Sequence, residues 1–106
     1  MKVTPDIIRH EFIGSHGKVA QSLHTDYIGL NGTVISETRN TFTFQHEGKT
    51  KNIIKKSAIF NFKFDDGTIV QIDGKLLVGR PEDRLKKTMK RLWQHVDDFQ
   101  ETKKDL

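Results

Sequence analysis

Residues 58–74 read AIFNFKFDDGTIVQIDG, and this stretch decides the fold. Three phenylalanines recur at every second position between residues 60 and 64, which is the period of a β-strand with one apolar face. The Asp-Asp-Gly triplet at 65–67 is a strong turn signal, and the apolar run 68–72 predicts the strand that returns. The stretch therefore predicts an antiparallel β-hairpin.

Further short strands separated by turn residues extend this pattern in both directions. The predicted strands are residues 18–23, 33–38, 40–46, 50–54, 58–64, 68–72 and 75–78. Short strands with frequent turns are typical of a barrel or a sandwich, and the β region is too short for a two-sheet immunoglobulin-like sandwich. We therefore expect a mainly β protein, a small antiparallel barrel of five to seven short strands.

The two ends of the chain have helical patterns. Residues 4–12 predict a short helix with Pro5 in its first turn. Residues 81–104 predict a longer helix, because apolar residues recur at helical spacing. This stripe consists of Leu85, Met89, Leu92, Trp93, Val96 and Phe99. We expect one domain over 1–106, with an N-terminal helical segment (1–16), a β-barrel (17–79) and a C-terminal helix with a frayed tail (80–106).

Composition narrows the class of protein. The 106 residues include 18 Lys and Arg against 14 Asp and Glu, for a net charge of +4, and no Cys. The excess of positive charge mildly favours nucleic acid or another anionic partner. The lack of Cys excludes disulfides and thiolate metal sites. No apolar stretch approaches the ~18–20 residues of a membrane span, and the N-terminus lacks a signal-peptide core. We expect a soluble, cytoplasmic protein without membrane contact.

A basic run opens the predicted C-terminal helix. Between residues 84 and 91 there are five cations and no acid. Such a run attracts phosphate backbones, but it is equally consistent with a solvated helix face. On the same helix, Trp93 is more consistent with a core or a subunit interface than with stacking on an unpaired base, because it belongs to the apolar stripe.

No catalytic or metal site is predicted. His10 and Glu11 resemble the start of a zinc-protease pattern, but that pattern needs a second His at position 14, which is Gly. Asp65, Asp66 and Asp73 belong to turns, where their side chains bond the local backbone. A nuclease that uses Asp65, Asp66 and a histidine with magnesium is an alternative.

Four stretches carry a resemblance to a known family: HEFIG (10–14), GLNG (29–32), ETRNTF (37–42) and DGTIVQIDGKLLVGRPEDRL (66–85). They closely resemble the archaeal ribonuclease P protein component 1 family, also known as the Pop4 or p29 subunit. The resemblance runs from about His10 to Lys87, so the final helix is predicted from periodicity only.

The resemblance implies an Sm-like barrel flanked by helices at both ends. It also implies a non-catalytic subunit of the ribonucleoprotein that removes the 5′ leader of precursor tRNA. The RNA subunit would perform the cleavage with magnesium, and this chain would bind no cofactor. Its partners would be the ribonuclease P RNA, a small zinc-binding protein subunit and other ribonuclease P proteins. The two small subunits together would brace the substrate-specificity region of the RNA.

Two surfaces are predicted to divide this work. The RNA phosphates are expected to contact Lys18, Arg39, Lys75, Arg80, Arg84, Lys86, Lys87, Lys90 and Arg91. The partner subunit is expected to cover Ile7, Ile8, Phe12, Leu92, Trp93 and Val96. Arg80 and Arg84 flank Pro81-Glu82-Asp83, and either arginine could instead form an ion pair with an acidic side chain that fixes the junction of strand and helix. The alternative function is a generic Sm-like RNA-binding module or RNA chaperone that forms a ring.

Overall fold

A single antiparallel β-sheet forms the body of the protein. The computed structural model describes residues 5–81, Arg84 and residues 93–95. Its strands are β1 His16–Ser22, β2 Asn31–Glu37, β3 Thr41–His46, β4 Lys49–Ile54, β5 Ala58–Lys63, β6 Ile69–Asp73 and the short β7 Trp93–His95. The order across the sheet is β4-β3-β2-β1-β5-β6-β7. The predicted mainly antiparallel β fold is confirmed.

The sheet curls around its core, although it does not close into a barrel. Phe42 of β3 and Phe60 of β5 have ring centroids 5.5 Å apart, yet two strands separate them in the sheet. In a flat sheet three strand spacings would hold them about 14 Å apart. Irregular pairing after Val19 in β1 and after Val34 in β2 adds local bends. In the described residues no ladder joins β4 to β7, so the predicted closed barrel is corrected to an open, curled sheet.

Turn chemistry sets the hairpins. Between β5 and β6, Thr68 N donates to the Asp66 carboxylate over 2.9 Å, and Gly67 has a positive φ of 86°. The predicted hairpin at this point is confirmed by the pairing of β5 with β6. Between β3 and β4, Glu47 and Gly48 have φ values of 52° and 79°. Positive φ at both central residues is the signature of a type I′ turn, which matches the twist of a hairpin.

One predicted strand is instead a helical turn. Residues 75–78 were predicted to continue the sheet, but Gly74–Leu77 forms a 3-10 turn. The Asp73 carboxylate accepts a hydrogen bond from Lys75 N over 3.0 Å, which starts the turn. Gly74 lies so close to the carbonyl oxygens of Lys55 and Ala58 that a Cβ would clash with both. After β6 the chain therefore leaves the sheet and packs on the loop between β4 and β5.

Helical structure in the described residues is limited to 3-10 turns: Pro5–Arg9, Thr25–Tyr27, Lys55–Ser57 and Gly74–Leu77. The first of these replaces the predicted helix over residues 4–12. At residues 93–95, the predicted C-terminal helix is corrected to a strand that pairs with β6. The unpaired backbone groups along an exposed sheet edge explain why an extended segment is taken up there. Most of the predicted helix lies outside the described residues. No helix that the structure describes is long and apolar enough to cross a membrane.

The N-terminal segment completes the hydrophobic core. Ile8 and Phe12 are fully buried, and the Phe12 ring stacks on Phe62 with centroids 4.3 Å apart. The remainder of the core comes from the concave face of the sheet, including Val19, Val34, Phe42, Phe44, Ile53, Phe60, Val70 and Ile72. Because one sheet this small exposes a whole apolar face, the segment before β1 is needed to cover it.

Candidate nucleic-acid interface

A buried carboxylate lies at the end of β2. The Glu37 side chain has only 4% of its surface exposed. Directly after it, Thr41 N donates to Thr38 Oγ1 over 3.1 Å, and the two hydroxyls lie 2.7 Å apart. This hydroxyl turn reverses the chain into β3. It also leaves the carbonyl groups of Thr38 and Arg39 available to a donor beside Glu37.

Lys55 is that donor. Its Nζ contacts Glu37 Oε2 at 2.6 Å and the carbonyl oxygens of Thr38, Arg39 and Gly79 at 2.8, 3.2 and 3.2 Å. The ammonium also lies 4.7 Å from the centroid of the Phe42 ring. Burial lowers the pKa of Lys55 to about 8, since removing an ammonium from water disfavours its charged form. The side chain is fully buried, so it cannot contact RNA.

Arg84 contacts the same carboxylate oxygen as Lys55. Its Nη2 donates to Glu37 Oε2, and its other nitrogens donate to the carbonyl oxygens of Ile8 (3.0 Å), His10 (3.2 Å) and Gly79 (3.3 Å). Burial lowers the pKa of Arg84 to about 10, so the guanidinium stays charged at neutral pH. The planar fork of an arginine suits such multiple acceptors.

We call Glu37, Lys55 and Arg84 the buried charge cluster. It ties together the N-terminal segment, the end of β2, the loop after β4 and the segment after β6. We call the place where these segments meet the junction. A main-chain hydrogen bond of 2.8 Å from Gly79 N to Arg39 O also joins two of the segments there. The cluster bridges parts of the chain that no β-ladder joins, and this is its structural role.

Four exposed cations belong to the segments that meet at this cluster, and we call them the basic surface: Arg39, Lys56, Lys75 and Arg80. Each is adjacent in sequence to a residue of the junction. Arg39 O accepts the bond from Gly79, Lys55 N donates to Asn40 O over 2.8 Å, and Gly74 packs on the carbonyl groups of Lys55 and Ala58. Three separate segments therefore bring positive charge to one end of the sheet. Glu82 and Asp83, which follow Arg80 in sequence, lie outside the described residues.

The predicted RNA-contacting residues divide into three groups. Arg39, Lys75 and Arg80 are exposed, as RNA contact requires. Lys18 and Arg84 have exposed fractions of only 1% and 3%, so their predicted surface role is corrected. For Arg84 the ion pair at the junction is the alternative that the structure supports, because Glu37 and three carbonyl groups surround it. The remaining group, Lys86, Lys87, Lys90 and Arg91, lies outside the described residues.

Sequence reasoning missed Lys56 and two members of the buried charge cluster, Glu37 and Lys55. Lys55 and Lys56 are adjacent in a short polar loop, and nothing in that local pattern separates a buried ammonium from an exposed one. Glu37 carried a weak signal, since a charged residue ends the strand that contains the β-branched residues 33–35. That signal fits a turn equally well.

The structure places only some of the residues that were predicted to face a partner subunit, and three of these are buried in the core. Ile7, Ile8 and Phe12 belong to the protein's own core, which corrects their placement on a surface. The backbone of Trp93 lies in β7. Leu92 and Val96 lie outside the described residues. The partner interface itself stays a prediction.

The described part of the chain holds no group of three or more His, Asp or Glu side chains that could bind a metal ion. Asp66, a residue of the alternative nuclease site, is engaged in the β5–β6 turn through Thr68. The exposed cations of the basic surface have the charge that contact with an anion requires, and the buried charge cluster is structural.

Comparison with known proteins identifies the family. The family model of the ribonuclease P/MRP subunit p29 matches residues 5–87. This chain belongs to that family. The ribonuclease P protein component 1 of Methanothermobacter thermautotrophicus is 42% identical over 91 residues, which cover 84% of this chain and 98% of that protein. The protein of the same name from Methanococcus maripaludis is 42% identical over 96 residues, with coverages of 88% and 100%.

A solved structure agrees with this assignment to the p29 family. Mth11, described as a homologue of the human RNase P protein Rpp29, aligns with a TM-score of 0.55 at 42% identity. The alignment covers 72% of this chain and 99% of Mth11. Three stretches that carry the family resemblance in sequence meet at one place, since His10 O, Glu37 and Arg84 all belong to the bonds of the buried charge cluster.

Proposed function

We propose that this p29-family protein is a non-catalytic, RNA-binding subunit of ribonuclease P, which removes the 5′ leader of precursor tRNA. The observation that carries the proposal is the basic surface. Its four exposed cations come from three segments, and the buried charge cluster holds those segments together. Held in this way, the cations lose less conformational freedom when they bind phosphates than cations on a loose loop would.

RNA recognition through this surface depends on form more than on base sequence. A folded RNA helix presents mainly its shape, its phosphates and its 2′-hydroxyl groups to side chains. Exposed lysine and arginine side chains neutralise phosphates, which releases bound counterions. Reduced repulsion between phosphates lowers the magnesium concentration that the RNA subunit needs to fold and hold its substrate.

The rest of the assembly follows from the family assignment as part of this proposal. Lys86, Lys87, Lys90 and Arg91 extend the RNA contact, and Leu92, Trp93 and Val96 contact a small zinc-binding protein subunit. The pair of proteins braces the substrate-specificity region of the RNA in the cytoplasm. Magnesium serves the RNA, and this chain binds no cofactor. The curled sheet with its single core supports an Sm-like barrel that is incompletely closed.

A ring-forming Sm-like module is the alternative, and one observation counts against it. Ring formation requires exposed strand edges that pair between subunits. In the described residues β7 covers the outer edge of β6, so a ring would have to join β4 of one subunit to the three-residue β7 of the next, which offers few backbone groups for pairing. Light scattering on the purified protein should therefore show no stable hexamer or heptamer.

Reconstitution tests the proposal directly. Precursor-tRNA cleavage by the cognate RNA at limiting magnesium should be faster with this protein and its zinc-binding partner than without them. An unchanged rate and magnesium demand would overturn the proposal. The protein alone with magnesium should not cleave precursor tRNA. Cleavage that Asp66→Ala abolishes would identify a nuclease instead.

The basic surface can be tested separately by the salt dependence of RNA binding. Replacing Arg39, Lys56, Lys75 and Arg80 by Gln should reduce the slope of log K against log salt by about 3, at ~0.7–0.9 per lost phosphate contact. Lys63→Gln, which removes an exposed lysine at the end of β5, is the control and should leave the slope unchanged. An unaltered slope in the four-site variant would remove this surface from the RNA interface.

A further inference from the structure

A groove lies at the other end of β3 and β4. Strand β3 begins at Thr41, near the buried charge cluster, and ends at His46, near the groove. These two residues are five steps apart along the strand, a distance of about 17 Å. The groove has a volume of about 300 Å³, and its lining is mainly apolar, with Leu30 and Phe44 contributing to it. This volume lies at the lower end of the ~300–1,000 Å³ range of small-molecule pockets. It suits a single base or side chain.

Strand register brings positive charge to this groove. Phe44 lies opposite Lys51, and His46 lies opposite Lys49. Residues that lie opposite each other on neighbouring strands share a face of the sheet, as do residues two apart on one strand. Lys49 and Lys51 are therefore on the same face as Phe44, and both are exposed lining residues of the groove.

Polar groups complete the lining. Asp26 and Asn31 both contribute to it. The Asn31 side-chain amide donates to Gly29 O over 3.3 Å, which restricts its orientation. A carboxylate such as Asp26 accepts hydrogen bonds from the amino or ring N–H groups of a base. The same carboxylate would repel an acidic peptide, which is the other ligand that two lysines could attract.

We propose that this groove binds one unpaired nucleotide of an RNA, with the base against the half-buried Leu30 and the adjoining phosphates against Lys49 and Lys51. The proposal rests on the proposed RNA-binding function and adds a second contact at the opposite end of the β3–β4 hairpin. Only an unpaired base can enter, because bases within an RNA helix are held in the stack, whereas bases in loops and bulges can be splayed out. The basic surface follows the backbone of an RNA, and the groove recognises a position where the helix is interrupted.

Binding to matched hairpin RNAs tests this inference with the full chain. One hairpin is fully paired, one carries a single-nucleotide bulge, and one carries an abasic bulge. Fluorescence anisotropy should show at least about fivefold tighter binding of the bulged hairpin, as expected when one base finds a stacking or apolar contact. The abasic hairpin should bind like the fully paired one.

Two matched substitutions separate the groove from the basic surface. Lys51→Glu should remove the preference for the bulge. Lys56→Glu should weaken binding of both hairpins by a similar factor and keep their ratio. Circular dichroism should show both variants folded, since both side chains are exposed.

Each remaining outcome overturns a defined part of the account. Equal binding of the bulged and paired hairpins by the unmodified protein would overturn the groove and leave the proposed RNA-binding function standing. Absence of binding to any hairpin would overturn both. If Lys51→Glu kept the bulge preference but abolished association with the zinc-binding subunit, the groove would be a protein-binding site and the inference would be wrong.

Discussion

The two ends of the β3–β4 hairpin use the same residue types in opposite ways. At one end, Lys55 is fully buried and bonded to Glu37 and three carbonyl groups. At the other end, Lys49 and Lys51 are exposed, and Glu47 lies at the turn. Three lysines within seven residues thus include one that maintains the fold and two that face solvent. The difference shows that position relative to the covering segments, and not residue type, decides what a lysine does here.

The energetic consequences differ in the same way. An exposed ion pair contributes about 0–1 kcal/mol, whereas removing one member of a buried pair costs about 3–5 kcal/mol because a charge is left without its partner. Substitutions at the junction should therefore change stability, and those at the exposed end should change binding. The following predictions test that contrast, from the largest expected effect to the smallest.

The largest change in stability is expected at Arg84, and Arg80 of the same motif is its matched control. Arg84→Ala should lower the free energy of unfolding by about 3–5 kcal/mol, because the buried Glu37 loses one of its two cations. Arg80→Ala, four residues earlier and exposed, should change it by less than about 0.5 kcal/mol. Urea unfolding followed by circular dichroism measures both. Equal losses in the two variants would contradict the assignment of Arg84 to the buried cluster.

An intermediate effect is expected from pH. Burial lowers the pKa of Lys55 to about 8 from an ordinary value of 10.5. Between these two values the unfolded chain binds more protons than the folded protein, so stability should rise with pH across that window, by at most about 1.4 kcal/mol per pH unit. The penalty from the buried charge is fully present below pH 8.

Lys55→Met removes this titration and is the control. The difference in unfolding free energy between the unmodified protein and this variant should move in favour of the unmodified protein as pH rises above 8. A difference independent of pH from 7 to 10 would show that the bonds from Lys55 to Glu37 and the three carbonyl groups offset the cost of burying its charge, and would contradict the lowered pKa.

The smallest effect is expected at the exposed end. Glu47 has a φ of 52° in the β3–β4 turn, a region that asparagine adopts with less strain than glutamate. Glu47→Asn should therefore raise the free energy of unfolding by about 0.5–1 kcal/mol. Gln45→Asn, at an exposed strand position beside the turn, is the matched control and should give no gain. A loss of stability in Glu47→Asn would show that its contact with His46, 3.8 Å away, outweighs the strain.

Local pattern predicted the strands well and their ends less well. The alternation of phenylalanines in β3 and β5 and the Asp-Asp-Gly turn were sufficient for the hairpins. Asp73-Gly74 was misleading, because the same dipeptide starts either a hairpin or a helical turn. The packing of Gly74 against Lys55 and Ala58 selects the helical turn. Likewise, an apolar period of three and four could not reveal that residues 93–95 pair with β6.

The candidate site was predicted only in part. Arg39, Lys75 and Arg80 were chosen for their charge, and all three are exposed. Lys18 and Arg84 were chosen for the same reason and are buried. Charge in a sequence predicts affinity for an anion without specifying whether that anion is an RNA phosphate or a carboxylate of the same chain.

The sequence alone determined the antiparallel β class, the hairpin turns and the family, because alternation, turn residues and motifs are encoded over a few neighbouring positions. Only the tertiary structure decided which cations are buried and which are exposed. The reason is the distance along the chain over which the deciding contacts are made. Lys55 and Arg84 reach Glu37 across 18 and 47 positions, and Arg84 reaches the Ile8 carbonyl across 76. No local pattern records contacts of that range.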